Sequence, residues 1–172
     1  MNIAVFCSAN NNIAPDYFRA AEELGQWIGE NGHTLVYGGG NSGLMECIGK
    51  AVHEAGGRTI GVIPRIMEEG RRMSDYVDIE IPCEDLSDRK AIMMERSDEF
   101  YALPGGIGTI DEVFTVAAAA TIGYHRKKVT LLNVKGFWDS MIALLNDHQQ
   151  KGMIRGKFQD FIEVKDIKDI NS

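Results

Sequence analysis

Residues 99–122 read EFYALPGGIGTIDEVFTVAAAATI. A short apolar run over 99–103 meets Pro104, glycines follow at 105, 106 and 108, and a helical pattern then extends from Thr109 to Ile122. Strand, glycine turn and helix in that order make half of a βαβ unit. The same order recurs on either side. Residues 3–7 form a compact apolar run. Pro15 stands where a helix can open, because its missing N–H and fixed φ suit a first helical position. Phe18, Ala21, Leu24, Trp27 and Ile28 then repeat at helical spacing until the stop signal Asn31-Gly32. Residues 34–37 read as a second strand, followed by Gly38-Gly39-Gly40 and a helix over 43–55. Residues 59–63 read as a third strand, ended by Pro64.

Residues 65–76 are polar and carry the least order signal in the chain. Val77, Ile79 and Ile81 alternate with Asp78 and Glu80, the mark of a half-exposed strand near a sheet edge. A helix over 84–96 leads into the opening stretch. Beyond it the pattern gives a buried strand over 129–134, a helix over 137–150 and a short strand over 161–164 before a polar tail. This alternation predicts an α/β fold, a Rossmann-like doubly wound parallel sheet with helices on both faces, as a single domain over residues 1–172.

Composition narrows the chemistry. With 172 residues, 44% of them hydrophobic and 25% charged, the chain has the balance of a globular domain. No apolar run approaches the roughly 18–20 residues of a membrane span. The start, MNIAVFCSANNN, lacks the basic region of a signal peptide. The net charge is −7, and basic residues adjoin only at Arg71-Arg72 and Arg126-Lys127-Lys128, so no extended surface could displace the counterions of a nucleic acid. An anionic ligand would be small and held by local donors. Cys7, Cys47 and Cys83 are odd in number and widely spaced, which points to a reduced, cytoplasmic protein. His33, His53, His125 and His148 are equally scattered, so no metal site is expected.

In doubly wound sheets, ligands bind beyond the carboxyl ends of the strands. Three turns of small or polar residues leave such ends, over 8–12, 38–43 and 105–108, and all three would open on one edge. The PGGIGT turn lacks the Lys-Ser/Thr of a Walker loop; Gly38, Gly40 and Gly43 fit the spacing of a dinucleotide fingerprint, but a lone match is a weak signal. Glycines and a helix N-terminus can hold a phosphate through backbone N–H groups, or the glycines can simply make tight turns. Both readings stand for Gly38–Gly43. For PGGIGT, the Thr109 hydroxyl adds a donor and favours phosphate.

The carboxylates that follow also have two readings. Thr109-Ile110-Asp111-Glu112 matches a capping box, with Thr109 as the cap and the acids suited to the helix dipole. Alternatively, a carboxylate one turn from a bound phosphate lies beside the sugar of a nucleotide, where it can stabilise an oxocarbenium ion or place a water. Arg89 and Lys90 would balance the charge, or would belong to a solvated helix face. Ile92, Met93 and Met94 read as core.

These residues resemble a known family, the LOG ("Lonely guy") proteins, which are cytokinin riboside 5′-monophosphate phosphoribohydrolases with an older lysine-decarboxylase label. The resemblance covers nearly the whole chain, through VFCSAN, LVYGGGNSGLM, GGRTIGVIP, DRKAIMMERSDEFYALPGGIGTIDE and KKVTLLNVKGFWDSM. It implies a Rossmann-like fold, a homodimer, and hydrolysis of the N-glycosidic bond of AMP or an N6-substituted AMP to free base and ribose 5-phosphate, with no cofactor. Arg89 and Glu112 would be the catalytic pair and Lys90 would assist binding. Gly105, Gly106, Gly108 and Thr109 would hold the phosphate, with Ile107 and Asp111 in the same motif and Ser8, Gly39, Gly40 and Met45 from the neighbouring loops. The chain departs from the family's common pattern at Glu46 (usually Gly), Leu86 (usually Met) and Arg71 (usually acidic).

Two further readings remain. Related proteins on this fold carry molybdenum cofactor, so a non-catalytic nucleotide or cofactor carrier is the alternative. A pyridoxal-phosphate decarboxylase would need a Schiff-base lysine, for which Lys90 is the only candidate near the motifs. For assembly, Val113, Phe114, Val116, residues 117–120 and Ile122 make a helix apolar nearly all round, which calls for burial on both sides. The second cover would be a partner subunit or the helix over 137–150.

Overall fold

The computed structural model describes residues 1–170. The last two residues of the polar tail, and with them the end of the expected 1–172 domain, lie outside the described residues. The elements are β1 (Asn2–Phe6), α1 (Pro15–Glu30), β2 (Thr34–Tyr37), α2 (Gly43–Glu54), β3 (Arg58–Pro64), α3 (Arg65–Glu69), β4 (Ile79–Cys83), α4 (Leu86–Arg96), β5 (Glu99–Ala102), α5 (Ile107–Thr121), β6 (Val129–Leu132), α6 (Asp139–Gln150) and β7 (Ile162–Lys165), with three short 3₁₀ turns after β6. Pro15 opens α1 as the sequence indicated.

The seven strands form one parallel sheet in the order β4-β3-β2-β1-β5-β6-β7. This is the doubly wound α/β arrangement that the alternating elements predicted. The chain winds one way from β1 to β4, crosses back through α4, and winds the other way from β5. Strand order therefore reverses between β1 and β5, which pair as Ile3↔Glu99 through Phe6↔Ala102. A crevice opens at such a reversal because the loops on its two sides diverge.

The central strands are apolar on both faces, since helices cover both. Ala4, Phe6, Val36 and Phe100 face a core with Met93 of α4, Val113 and Val116 of α5, and Trp138 and Met141. Ile3, Val5, Leu35 and Tyr37 face Leu24 and Ile28 of α1 and Ile48 and Val52 of α2. Met93 is fully buried in the first core, with Ile92 and Met94 partly buried against it. β4 is an edge strand with Ile79 exposed, in keeping with its alternating sequence.

Residues 65–76, which carried little order signal, include α3. Five residues make little more than one turn, too few for an apolar repeat to show. The rest of the segment is tied to the second glycine loop by an antiparallel bridge between Gly40 and Met73. Among the described residues, no helix is long and apolar enough to cross a membrane.

Candidate active site

The three loops meet at the carboxyl edge of the sheet. The Ser8 N–H donates to the Pro104 carbonyl (3.1 Å), and the Leu44 N–H donates to the Ser8 carbonyl (2.8 Å), so the first loop is bonded to both others. The Gly43 N–H donates to Asn11 Oδ1 (2.8 Å) and the Ser42 hydroxyl to the Ala9 carbonyl (2.8 Å). Gly43 has φ +60°, and a Cβ there would lie 2.4 Å from the Ala9 carbonyl carbon, so the two loops touch through backbone. A helix N-terminus leaves its first N–H groups unpaired. In α2, those of Gly43 and Leu44 are claimed by residues 8–11. The second glycine loop is therefore a packed turn, and the first two N–H groups of α2 are taken.

The start of α5 is different. The helix begins at Ile107, two residues before the expected Thr109, and no side chain caps it. The capping box is therefore absent. Thr109 is the third helical residue, and Asp111 and Glu112 fall beyond the first turn. The physical reason is local. Gly106 turns the chain into the helix early, and the Thr109 side chain folds back over Gly105, where a Cβ would lie 2.0 Å from its Oγ1. A threonine packed in this way cannot reach round to cap. The N–H groups of Ile107, Gly108 and Thr109 consequently remain free at the positive end of a 15-residue helix. The first helical bond runs from the Ile110 N–H to the Gly106 carbonyl (3.0 Å). Cβ atoms placed on Gly106 or Gly108 would meet nothing within 4 Å, so the backbone borders open space. Ile107 contributes its backbone only, its side chain being 89% exposed.

Asp85 caps α4 by accepting from the Asp88 N–H (2.8 Å), and this sets Arg89 inward. Arg89 is buried, contrary to a solvated-face reading. Its Nε donates to the Val62 carbonyl (3.0 Å) and its Nη2 to the Gly38 carbonyl (2.6 Å), so it bridges the ends of β3 and β2. A Cβ on Gly38 would come within 2.3 Å of Nη2, so the first glycine of the triplet admits the guanidinium. Gly39 packs on Ile63, Gly40 bridges to Met73, and the Met45 sulfur lies against both Gly38 and Gly40. These residues wall the site. The half-buried Ser8 uses its hydroxyl to accept from the Asn10 N–H (3.0 Å).

Glu112 lies three and four residues after Thr109 and Gly108, hence on their face of α5. It is half-buried and makes no hydrogen bond or ion pair among the described residues. Burial pushes its carboxyl up to about 7, Arg89 opposes that, Asp111 adds to it and Lys90 opposes it. Burial also disfavours the charged form of Arg89, which the carboxylate of Glu112 counteracts. The charges of the two groups therefore act on each other. Cys7, buried at the end of β1, is an inert thiol, pushed well above its ordinary range by burial and then by Glu112. Lys90 Nζ is held by both carboxylate oxygens of Asp111 (2.8 and 3.0 Å), which ties α4 to α5. A lysine committed as a charged ion-pair partner is poorly placed to act as a free Schiff-base amine.

The family resemblance placed a ligand-contacting position at Arg71, but the periodicity of the sequence did not reveal that residues 66–75 pack against the second glycine loop. Met67 Sδ lies 3.8 Å from Arg89 Nη2, and the Ser74 N–H donates to the Gly39 carbonyl (2.8 Å). These tertiary bonds and the bridge to Gly40 make the connection, and nothing in the local pattern signals it.

A family model described as "Possible lysine decarboxylase" matches residues 45–170. The chain is 38% identical over 152 residues to cytokinin riboside 5′-monophosphate phosphoribohydrolase LOG7 of Arabidopsis thaliana, covering 88% of this chain and 70% of that protein. It is 39% identical over 153 residues to LOG5 of the same plant, covering 89% and 67%. Among solved structures, the molybdenum cofactor carrier protein of Chlamydomonas reinhardtii superposes with a TM-score of 0.71 at 28% identity, over 97% of this chain and 91% of that one.

Proposed function

The chain belongs to the LOG family of phosphoribohydrolases, and from that membership we propose that it hydrolyses the N-glycosidic bond of AMP or an N6-substituted AMP. The observation that carries the reading is the unclaimed carboxylate of Glu112, on the face of α5 that continues from an uncapped, glycine-lined N-terminus. The 5′-phosphate sits on the free N–H groups of 107–109, with the dipole of α5 supplying attraction in place of a lysine. Lys90, braced by Asp111, adds positive charge to that end. The ribose then lies between Glu112 and Arg89.

As the C1′–N9 bond lengthens, positive charge grows on C1′ and the ring oxygen. The Glu112 carboxylate stabilises that charge and places a water. The water oxygen bonds to C1′, one water proton ends on the departing base, and the products are free base and ribose 5-phosphate. Arg89, fixed by two backbone carbonyls, orients the site and favours the ionised form of Glu112. The test is product analysis against a panel of nucleoside 5′-monophosphates, with the unphosphorylated nucleosides as controls. Base and ribose 5-phosphate should appear from AMP and not from adenosine. Tight binding of AMP without any product would instead favour a carrier, the alternative that the 28% identity to the Chlamydomonas protein keeps in view.

The whole chain acts as one nucleotide-binding unit and pairs with a second copy through α5. Val113, Val116, Ala117 and Ala119 pack on the sheet, whereas Ile110, Ala118 and Ile122 are exposed. That leaves an apolar outer face that α6 does not cover, and its small residues permit close approach of a second helix. Ala118→Arg places a charge in the middle of this face. Light scattering should find a dimer for the native chain and a monomer for the variant, and a monomeric native chain would refute the pairing. Cys7, Cys47 and Cys83 are free thiols, suited to a reducing cytoplasm.

A further inference from the structure

Arg89 and Lys90 are consecutive on α4, and Asp111 and Glu112 are consecutive on α5. Consecutive helical residues point about 100° apart, so each helix can offer one charged group to its neighbour and turn the other elsewhere. Lys90 and Asp111 meet, with Nζ donating to both carboxylate oxygens at 3.0 and 2.8 Å. Arg89 and Glu112 form no such bond, because Arg89 gives its Nε and Nη2 to the carbonyls of Val62 and Gly38. Of the four, Glu112 alone has neither a hydrogen bond nor an ion pair among the described residues.

Stability is a weak reason for the Lys90–Asp111 pair. The two side chains are 20% and 48% exposed, and a pair this open contributes little. Its position is more informative. The charged and titratable groups that act on Glu112 are Arg89 and Lys90 of α4, Asp111 beside it and the Cys7 thiol at the end of β1. Arg89 is fixed by backbone. Lys90 carries its ammonium on a flexible four-carbon stem, and its hydrogen bonds go to Asp111. Lys90 is therefore the cation that could swing to Glu112 if nothing else held it.

Building on the function proposed above, we propose that Asp111 is a positioning residue, which holds Lys90 away from Glu112 so that the Glu112 carboxylate stays unpaired for the sugar and its water. A carboxylate bonded to an ammonium has its charge committed to that partner and stabilises a cation growing at C1′ less well. The two neighbouring acids thus divide the work, one occupying the mobile cation and the other left open to the substrate. The electrostatics agree in sign, since Lys90 holds the Glu112 carboxyl down and Asp111 pushes it up.

The experiment sets Asp111→Asn beside Lys90→Met and the double variant, with AMP as substrate and kcat, KM, the pH–rate profile and Tm as readouts. Either single change breaks the same tie between α4 and α5, so a pair that served only as a brace would give both variants the same result. The proposal requires an asymmetry. In Asp111→Asn, Lys90 turns to Glu112. The plateau kcat should fall by about tenfold or more, a part of what such a group contributes, and the rising limb should move to lower pH by about one unit. In Lys90→Met, Glu112 stays unpaired beside a bare Asp111. The limb should move to higher pH, and KM should rise while kcat stays within about threefold of native, as for lost uniform binding. The double variant should regain kcat to within about threefold of native, because the competing ammonium is gone. Asp111→Glu keeps a carboxylate for Lys90 and should restore most of the kcat that asparagine loses.

Equal kcat in the two single variants, or a double variant no faster than Asp111→Asn, overturns the proposal. If the native protein binds AMP without cleaving it, the hydrolase reading fails, and melting at pH 8 decides this one. Glu112→Gln should raise Tm in the native background, where it removes a poorly solvated charge. In the Asp111→Asn background it should leave Tm unchanged or lower it, because there it takes a partner from Lys90. An equal rise in both backgrounds is the contrary result.

Discussion

Glu112→Gln should nearly abolish turnover and make the protein more stable at pH 8. The two effects share one cause. A carboxylate placed where burial raises its pKa from 4.5 to about 7 is poorly solvated in the folded state. Between those values the folded protein binds more protons than the unfolded chain, so stability falls as pH rises from about 4.5 to about 7 and is level beyond. Glutamine removes the buried charge and should recover about 1–3 kcal/mol at pH 8, with little change at pH 4.5. It also removes the group that meets the developing cation at C1′, and kcat should fall by about 10³-fold or more. In the native protein kcat/KM should rise with pH through an apparent pKa near 7, as Glu112 ionises. Melting curves of both proteins at pH 4.5 and 8, with a pH–rate profile, check all of this. An active variant that melts earlier at pH 8 would make Glu112 a structural residue.

Arg89→Ala should have the second-largest effect, with activity and stability falling together. The guanidinium satisfies the carbonyls of Val62 and Gly38 at the ends of two strands, and its removal leaves both without their charged donor. The cost should be about 2–4 kcal/mol, the usual range for losing a buried charge-assisted pair of bonds. Because Arg89 pulls down the pKa of Glu112, the rising limb of any residual pH–rate profile should move to higher pH. A purely structural arginine would lower Tm without moving that limb. Arg89→Lys keeps a charge and loses the two-carbonyl fork, so it should restore the limb more than it restores Tm. An Arg89→Ala protein with native Tm and native turnover would refute the assignment.

Much of the fold was legible because each element carries its own signal. Periodicity placed all seven strands and five of the six α-helices, and Pro15, Asn31-Gly32 and Pro64 marked ends where the backbone has few options. The errors fell where the signal was not local. TIDE has the residues of a capping box, and it reads that way only if the helix starts at Thr109. Gly106 starts it two residues sooner, and the box dissolves. α3 was missed because one turn of helix has no period to detect.

The pattern alone left Arg89 and Glu112 with both a structural and a catalytic reading, and the family resemblance named them as the candidate pair. Their environment was not contained in that pattern. Whether a glycine loop is free to hold an anion depends on who has already taken its N–H groups, and for α2 the takers, Ser8 and Asn11, stand more than thirty residues away. Whether Arg89 is solvated depends on carbonyls from two other strands. A linear pattern records what each residue prefers within a few positions of itself. Burial or a spent donor is a property of contacts, and contacts between distant residues exist once the sheet has brought its loops to a common edge.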